Sequence, residues 1–331
     1  MNFSIGLSKI AMAVIAIGLV TCPMAMAEPA PGVHRIAFIN SGPKVANETN
    51  LAAFQAGLAE LGYVEGRNLF VTYGWGDQKV EQLPALVNEL LSSRPEVIVS
   101  TGGPVTARAV ANATSTIPIV FITGDPLAEK LVPNMARPGG NASGFSVMAG
   151  ELEAKRLEIL QQLLPRAKRV AVIWNPTAPY AEGVFRNAEE AANRLDLTLL
   201  SWKAGNRAEL EQVFTEIVNT KVDALFVVSD PVLGFERARI VEFASKNRLP
   251  GIYFWREFAE IGGLASYGTN LAAMYRQSAS YVDKILKGAK PGDLPVQQPT
   301  TFEFVVNLKT AEALGVVIPN TIRQRADQVI Q

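Results

Sequence analysis

The chain has a single cysteine and a single histidine among its 331 residues. Those absences exclude a zinc site of the usual Cys/His kind and a Cys–His nucleophilic pair. Charge of either sign is not in excess, since 31 Lys+Arg balance 31 Asp+Glu. No polybasic run occurs, so neither a nucleic-acid backbone nor an anionic lipid surface has a field to meet, and no nucleic-acid partner is expected. What is present is 48% apolar and 19% charged residues without a low-complexity tract. A chain of this length and composition buries substantial cores and favours two lobes.

Met1 to Ala27 reads as a separate segment. It carries one cation, Lys9, then the apolar run Ile10 to Val20, then Ala25-Met26-Ala27 ahead of Glu28-Pro29. That is the order of a secretory signal peptide over residues 1–27, and the apolar run is too short for a membrane span. Export to the periplasm is expected, and cleavage after Ala27 removes Cys22, leaving a mature chain without a thiol. Acylation of Cys22 as a lipoprotein is the less favoured alternative, because Thr21 is large for the position before a lipidated cysteine. His34 falls at the entrance of the first expected strand and away from any expected site.

From Arg35 onward, short runs rich in Val, Ile and Phe alternate with segments of helical period, the pattern of parallel sheets covered on both faces. The expected strands of the first set are Ile36–Ile39, Leu69–Tyr73, Val97–Val99 and Ile119–Phe121. The order then repeats: Arg35-Ile36-Ala37-Phe38-Ile39-Asn40 aligns with Arg169-Val170-Ala171-Val172-Ile173-Trp174. The fold expected is α/β, with two doubly wound, flavodoxin-like parallel-sheet lobes. The first lobe is placed at 33–147 plus 268–298 and the second at 148–267 plus 299–331. Gly140 to Met148, Gly263 to Gly268 and Phe302 to Leu314 are read as connections between the lobes, and a multi-strand hinge is expected near Phe145 to Gly150, Leu264 to Gly268 and Pro295 to Thr301.

In such sheets ligands lie beyond the carboxyl ends of the strands. The expected site residues accordingly come from strand-end loops. Ser41 and the stretch Ser100-Thr101-Gly102-Gly103 with Thr106 can form a nest of N–H and hydroxyl groups around a carboxylate. Thr123, Asp125, Asn175 and Asp230 offer polar contacts, with Asp230 the preferred partner of an ammonium group. Tyr253, at the end of its strand, offers an aromatic wall. Asp125 and Asp230 each precede a proline, so turn capping is the competing role. Neither GxxxxGK[ST] nor a full GxGxxG occurs, and no nucleotide, metal or other cofactor is expected.

The sequence resembles the ABC-transporter substrate-binding proteins of the type I periplasmic fold, the family that includes tryptophan- and tyrosine-binding members. The resemblance rests on Gly57-Leu58-Ala59-Glu60-Leu61-Gly62-Tyr63-Val64-Glu65-Gly66-Arg67-Asn68, on Gly124-Asp125-Pro126, on Ala136-Arg137-Pro138-Gly139-Gly140-Asn141, on Gly262-Gly263-Leu264-Ala265-Ser266-Tyr267-Gly268 and on Asn307-Leu308-Lys309-Thr310-Ala311. It implies a non-enzymatic receptor, expected as a monomer, that captures a small amphipathic solute, an aromatic or other apolar amino acid, and delivers it to an ABC permease in the inner membrane. Two alternatives stay open. One is a periplasmic sensor of the same fold; the other, less favoured, is a hydrolase using Asp125 and Asp230.

Overall fold

The computed structural model describes residues 32–148, 150 and 152–331. The expected signal peptide and Cys22 lie outside the described residues. Within them, no helix is long and apolar enough to cross a membrane.

The first sheet is built from β1 (His34–Asn40), β2 (Leu69–Trp75), β3 (Val97–Thr101), β4 (Ile119–Thr123) and β5 (Ala142–Ser146). All its pairings are parallel and the order is β2-β1-β3-β4-β5. Helices α1 (Glu48–Glu60), α2 (Leu83–Ser92) and α3 (Pro104–Ala113) follow its first three strands. The sheet is apolar on both faces because helices cover both: Phe38, Val97 and Val99 point into one core, Ile39, Ile98 and Phe121 into the other.

After α4 (Glu153–Leu163) the winding repeats. The elements are β6 (Arg169–Trp174), α5 (Ala181–Arg194), β7 (Thr198–Lys203), α6 (Arg207–Val218), β8 (Ala224–Val227), the helix pair α7 (Pro231–Phe235) and α8 (Arg237–Lys246), then β9 (Gly251–Tyr253), α9 (Arg256–Glu260) and β10 (Ala265–Thr269). Their order in the second sheet, β7-β6-β8-β9-β10, reproduces that of the first. The two halves of the sequence repeat thus occupy equivalent central strands, β1 and β6.

The remaining elements are α10 (Leu271–Leu286), β11 (Phe302–Asn307), α11 (Leu308–Leu314), α12 (Asn320–Arg325) and β12 (Gln328–Ile330). β11 adds to β10 antiparallel and β12 adds to β11 parallel, extending the second sheet to seven strands. α10 instead returns to the first lobe, where Met274, Tyr275, Ala279 and Val282 pack into the core formed by Phe38 and Phe54.

The three segments expected as connections are themselves sheet strands, β5, β10 and β11. β5 ends at Ser146 ahead of α4 at Glu153, β10 ends at Thr269 ahead of α10 at Leu271, and β11 begins at Phe302. β10 runs to Thr269, so it contains residue 268, where the first lobe's second segment is expected from sequence to begin. These segments run side by side: Thr269 Oγ1 donates to Val147 O at 3.2 Å, and Gln297 bridges to Phe145 at the edge of the first sheet.

Candidate functional site

The carboxyl ends of β1, β3 and β4 face those of β6, β8 and β9 across a cleft of about 710 Å³, counting its solvent-open mouth. The first lobe contributes the opening turn of α1 (Asn47, Thr49, Asn50), the Gly102–Gly103 loop, and Thr123–Gly124; α10 adds Leu271 and Tyr275. The second lobe contributes Tyr180, Ser229, Pro231, Phe235, Arg237, Trp255 and Glu257. The walls are aromatic, and the charged groups lining the space are one guanidinium and one carboxylate.

A rigid polar platform supports the first lobe's wall. The buried Asn40 amide donates to Thr101 Oγ1 at 2.9 Å and to Asn47 Oδ1 at 3.2 Å, while its oxygen accepts from Gly42 N at 2.7 Å. Thr101 Oγ1 in turn donates to Ile39 O at 3.1 Å, so this hydroxyl ties β3 to β1 and is not free for a solute. Burial pushes the Tyr275 phenol, which accepts from the same Asn40 amide, up to about 12. It stays a neutral hydroxyl at the cleft floor.

Second-lobe side chains seat on bare backbone of the first. A Cβ at Gly42 would lie 2.5 Å from the Phe235 ring, and one at Gly124 would lie 2.4 Å from the Tyr180 ring. Gly103, at φ 91°, faces Pro231 in the same way. Polar contacts join the lobes as well: Arg237 Nη2 donates to Ala46 O at 3.1 Å, and Gln78 Nε2 to Glu236 Oε1 at 2.7 Å. Glu236, itself buried, also holds Arg207 at 2.9 Å and Arg239 at 3.3 Å. The lobes are closed on one another.

Of the residues expected from sequence, Gly102, Gly103 and Thr123 line this cleft. Ser41 is buried beside it and donates to Gly102 O at 2.7 Å, fixing the glycine loop. Ser100 and Thr106 are buried, with hydroxyls that have no partner among the described residues and do not line the cleft. Asp125 lies in a neighbouring interlobe space beyond Tyr180, where its carboxylate caps Leu127 N and Ala128 N, both at 3.0 Å. Asp230 is the N-cap of α7: Oδ1 accepts from Val232 N at 2.8 Å and Leu233 N at 3.2 Å, and Oδ2 from the Asn175 amide at 3.1 Å. Its oxygens are thus committed to the protein, and Asn175 serves it. Tyr253 is core: its ring stacks on Phe258 at 4.7 Å between centroids, on the side of the strand away from the cleft.

Sequence reasoning passed over Asn50, Tyr180, Phe235, Arg237, Glu257 and Tyr275. All but Tyr180 lie in helices just past the loops it examined, or in α10, whose place in the first lobe no local pattern signals. Tyr180 sits five residues beyond Asn175, in the same strand-end loop.

Burial sets the ionisation of the carboxyls around the cleft. Asp230 is pushed up to about 6, against the pull of its Asn175 and backbone partners. Glu129, which accepts from Thr123 Oγ1 at 2.6 Å and Asp125 N at 3.0 Å, is pushed up by burial to about 7. Its folded value exceeds the unfolded 4.5, so the folded state holds the extra proton between these values. This group's contribution to stability is therefore fully present below about pH 4.5 and is lost as pH rises to about 7, by roughly 3 kcal/mol. Glu129→Gln is expected to flatten the decline in melting temperature between pH 5 and pH 8. Parallel pH profiles for the variant and the parent protein would contradict this.

A two-lobed α/β binding protein with an aromatic-lined cleft between its lobes is the class that this geometry defines. Comparison with known proteins gives the family: residues 36–330 match the ABC transporter substrate binding protein family, and the chain belongs to it. It is 25% identical over 262 residues to a tyrosine-binding protein of Clostridioides difficile (strain R20291), covering 79% of this chain and 75% of that protein. A conserved domain protein of Vibrio cholerae O1 biovar El Tor superposes with a TM-score of 0.84 at 27% identity, covering 90% of this chain and 99% of that one. The ABC domain of a Streptococcus pneumoniae protein in complex with L-Trp superposes with a TM-score of 0.83 at 23% identity, covering 90% of this chain and all of that one. The family is one of substrate-binding proteins and not of enzymes, so the chain is a substrate-binding protein, which removes the hydrolase alternative.

Proposed function

We propose that the protein binds an aromatic or other apolar amino acid in the interlobe cleft. It acts in the periplasm as a monomer after removal of residues 1–27, and presents its closed form to an ABC permease. The observation that carries this is the cleft lining itself: Phe235, Trp255, Tyr180 and Tyr275 around one carboxylate and one guanidinium. Aromatic walls bury a ring, and two opposite charges match the two ends of an amino acid. The tyrosine-binding relative and the tryptophan-complexed neighbour support the same choice of solute.

The cycle follows from the lobe contacts. Opening at the three connections exposes both walls; a solute that touches both has higher affinity for the closed state and draws the equilibrium towards it. Asp230, Thr101 and Asn175 hold the walls in shape and leave the solute to others.

Mass spectrometry of small molecules retained by the purified mature protein, paired with a thermal-shift screen of the amino acids, tests the reading. A ligand at 100 times its Kd adds about 2.7 kcal/mol of stability, a rise of several degrees in melting temperature. Aromatic amino acids are expected to give that rise. A rise with a sugar or a carboxylic acid and none with any amino acid would overturn the choice of solute.

A further inference from the structure

The charges lining the cleft have different standing. Arg237 spends Nη1 on Gly234 O at 3.0 Å and Nη2 on Ala46 O at 3.1 Å, which aims its guanidinium along the lobe boundary and leaves further N–H groups unspent. Glu257 lines the same cavity from the start of α9, and among the described residues no other side chain forms a hydrogen bond or a salt bridge with its carboxylate. Burial raises its pKa, with Arg237 near enough to oppose the shift but not near enough to pair. Across the cleft, Asn50 of α1 is 7% exposed, and its amide oxygen has no partner among the described residues. Asn50 therefore presents an acceptor that the folded protein buries and does not satisfy, and Glu257, from the other lobe, presents a partly buried carboxylate that accepts only from its own backbone N–H among the described residues.

Leaving such acceptors unmet is costly, and a group with several N–H donors and a positive charge meets both at once. Asp230, expected from the sequence to hold an ammonium group, has already spent its oxygens on the α7 cap and on Asn175.

We propose that Glu257 and Asn50 together receive the α-ammonium group of the solute, while Arg237 takes its carboxylate, so that the cleft selects zwitterions over des-amino and uncharged analogues of the same ring. The assignment rests on the amino-acid reading above and gives that solute a direction in the cleft. Since the acceptors sit on different lobes, the ammonium group is also a bridge that exists only when the lobes are closed, which couples recognition to closure.

The test is calorimetric titration of L-tyrosine and of 3-(4-hydroxyphenyl)propionate, its des-amino analogue, into the parent protein, Glu257→Gln and Asn50→Ala. The parent protein is expected to bind L-tyrosine at least 100-fold more tightly than the analogue. Glu257→Gln should lose about 100-fold for L-tyrosine and little for the analogue, with an unchanged or higher melting temperature because a buried unpaired charge is gone. Asn50→Ala should lose about 10-fold, again for the amino acid alone. L-Tyrosine binding at parent affinity by Glu257→Gln, or equal losses for both compounds, overturns the assignment and leaves the amino-acid reading standing. Absence of binding by the parent protein to L-tyrosine and, in parallel titrations, to L-tryptophan, L-phenylalanine, L-leucine and the other apolar amino acids overturns both.

Discussion

Gly124→Ala is expected to weaken solute binding by a factor of about 10 to 100 while leaving the melting temperature of the ligand-free protein nearly unchanged. The added methyl carbon meets the second lobe before anything in its own. Its three nearest neighbours are two ring carbons and the hydroxyl oxygen of Tyr180, at 2.4 to 2.5 Å. Gly124 does not have positive φ, so an alanine suits its backbone. The penalty therefore falls on the closed state alone. Overpacking of this kind costs about 1–3 kcal/mol, and each 1.4 kcal/mol is tenfold in affinity. Gly42→Ala should act likewise through Phe235, whose ring atoms lie 2.5 to 2.7 Å from the added carbon. The sites have different partners, so the losses should add in the double variant. Affinity measurements with small-angle scattering check this: the variants should remain extended at solute concentrations that compact the parent protein. Parent affinity in Gly42→Ala/Gly124→Ala would show that binding does not require this closed arrangement.

The largest effect on folding is expected at Arg156. Its side chain is 1% exposed and pairs with Glu153, which is fully buried one turn earlier on α4. The guanidinium lies over Phe226 at 5.5 Å and over Phe254 at 5.8 Å, and Glu153 accepts from Ser229 N at 3.2 Å. The pair thus fastens α4 to the ends of β8 and β9, directly behind the cleft wall. Removing one member of a buried pair strands the other charge and costs roughly 3–5 kcal/mol. Arg156→Ala should lower the melting temperature by about 6–20 °C. Replacing both members with apolar residues should recover much of that loss, because the cost lies in the stranded charge. Equal melting temperatures for Arg156→Ala and the parent protein would contradict the buried-pair account.

The winding of both lobes was legible in the sequence because parallel strands covered on both faces must be apolar throughout, as in Val97-Ile98-Val99 and Val170-Ala171-Val172-Ile173. β5 and β10 escaped for the same reason. Ala142-Ser143-Gly144 and Ala265-Ser266-Tyr267-Gly268 are small and polar where neighbouring backbone comes close; a Cβ at Gly144 would lie 2.0 Å from Phe121 O. Glycine there reads as a loop although close packing is what demands it.

At the site, the strand-end rule located the right loops but not the side chains that face the cleft. Gly102, Gly103 and Thr123 followed from it. Asp125 and Asp230 looked like ligands because they are acids at strand ends, yet each precedes a proline and spends its oxygens on the N–H groups beyond it. Tyr253 is still within β9, and its ring packs into the core, while Trp255, beyond the strand's end, reaches the cleft. Glu257 and Arg237 carry no local mark of function. Both belong to the second lobe, and the folding of α8 and α9 beside β9 brings them to one cavity, which Asn50 closes from the first lobe.

Titration calorimetry of L-tyrosine and L-tryptophan into the mature parent protein tests the central claim most directly. The account predicts saturable binding of at least one of them, one molecule per chain, with a negative heat-capacity change from burial of the ring between the lobes. No heat of binding for either, at concentrations up to the millimolar range, would contradict it.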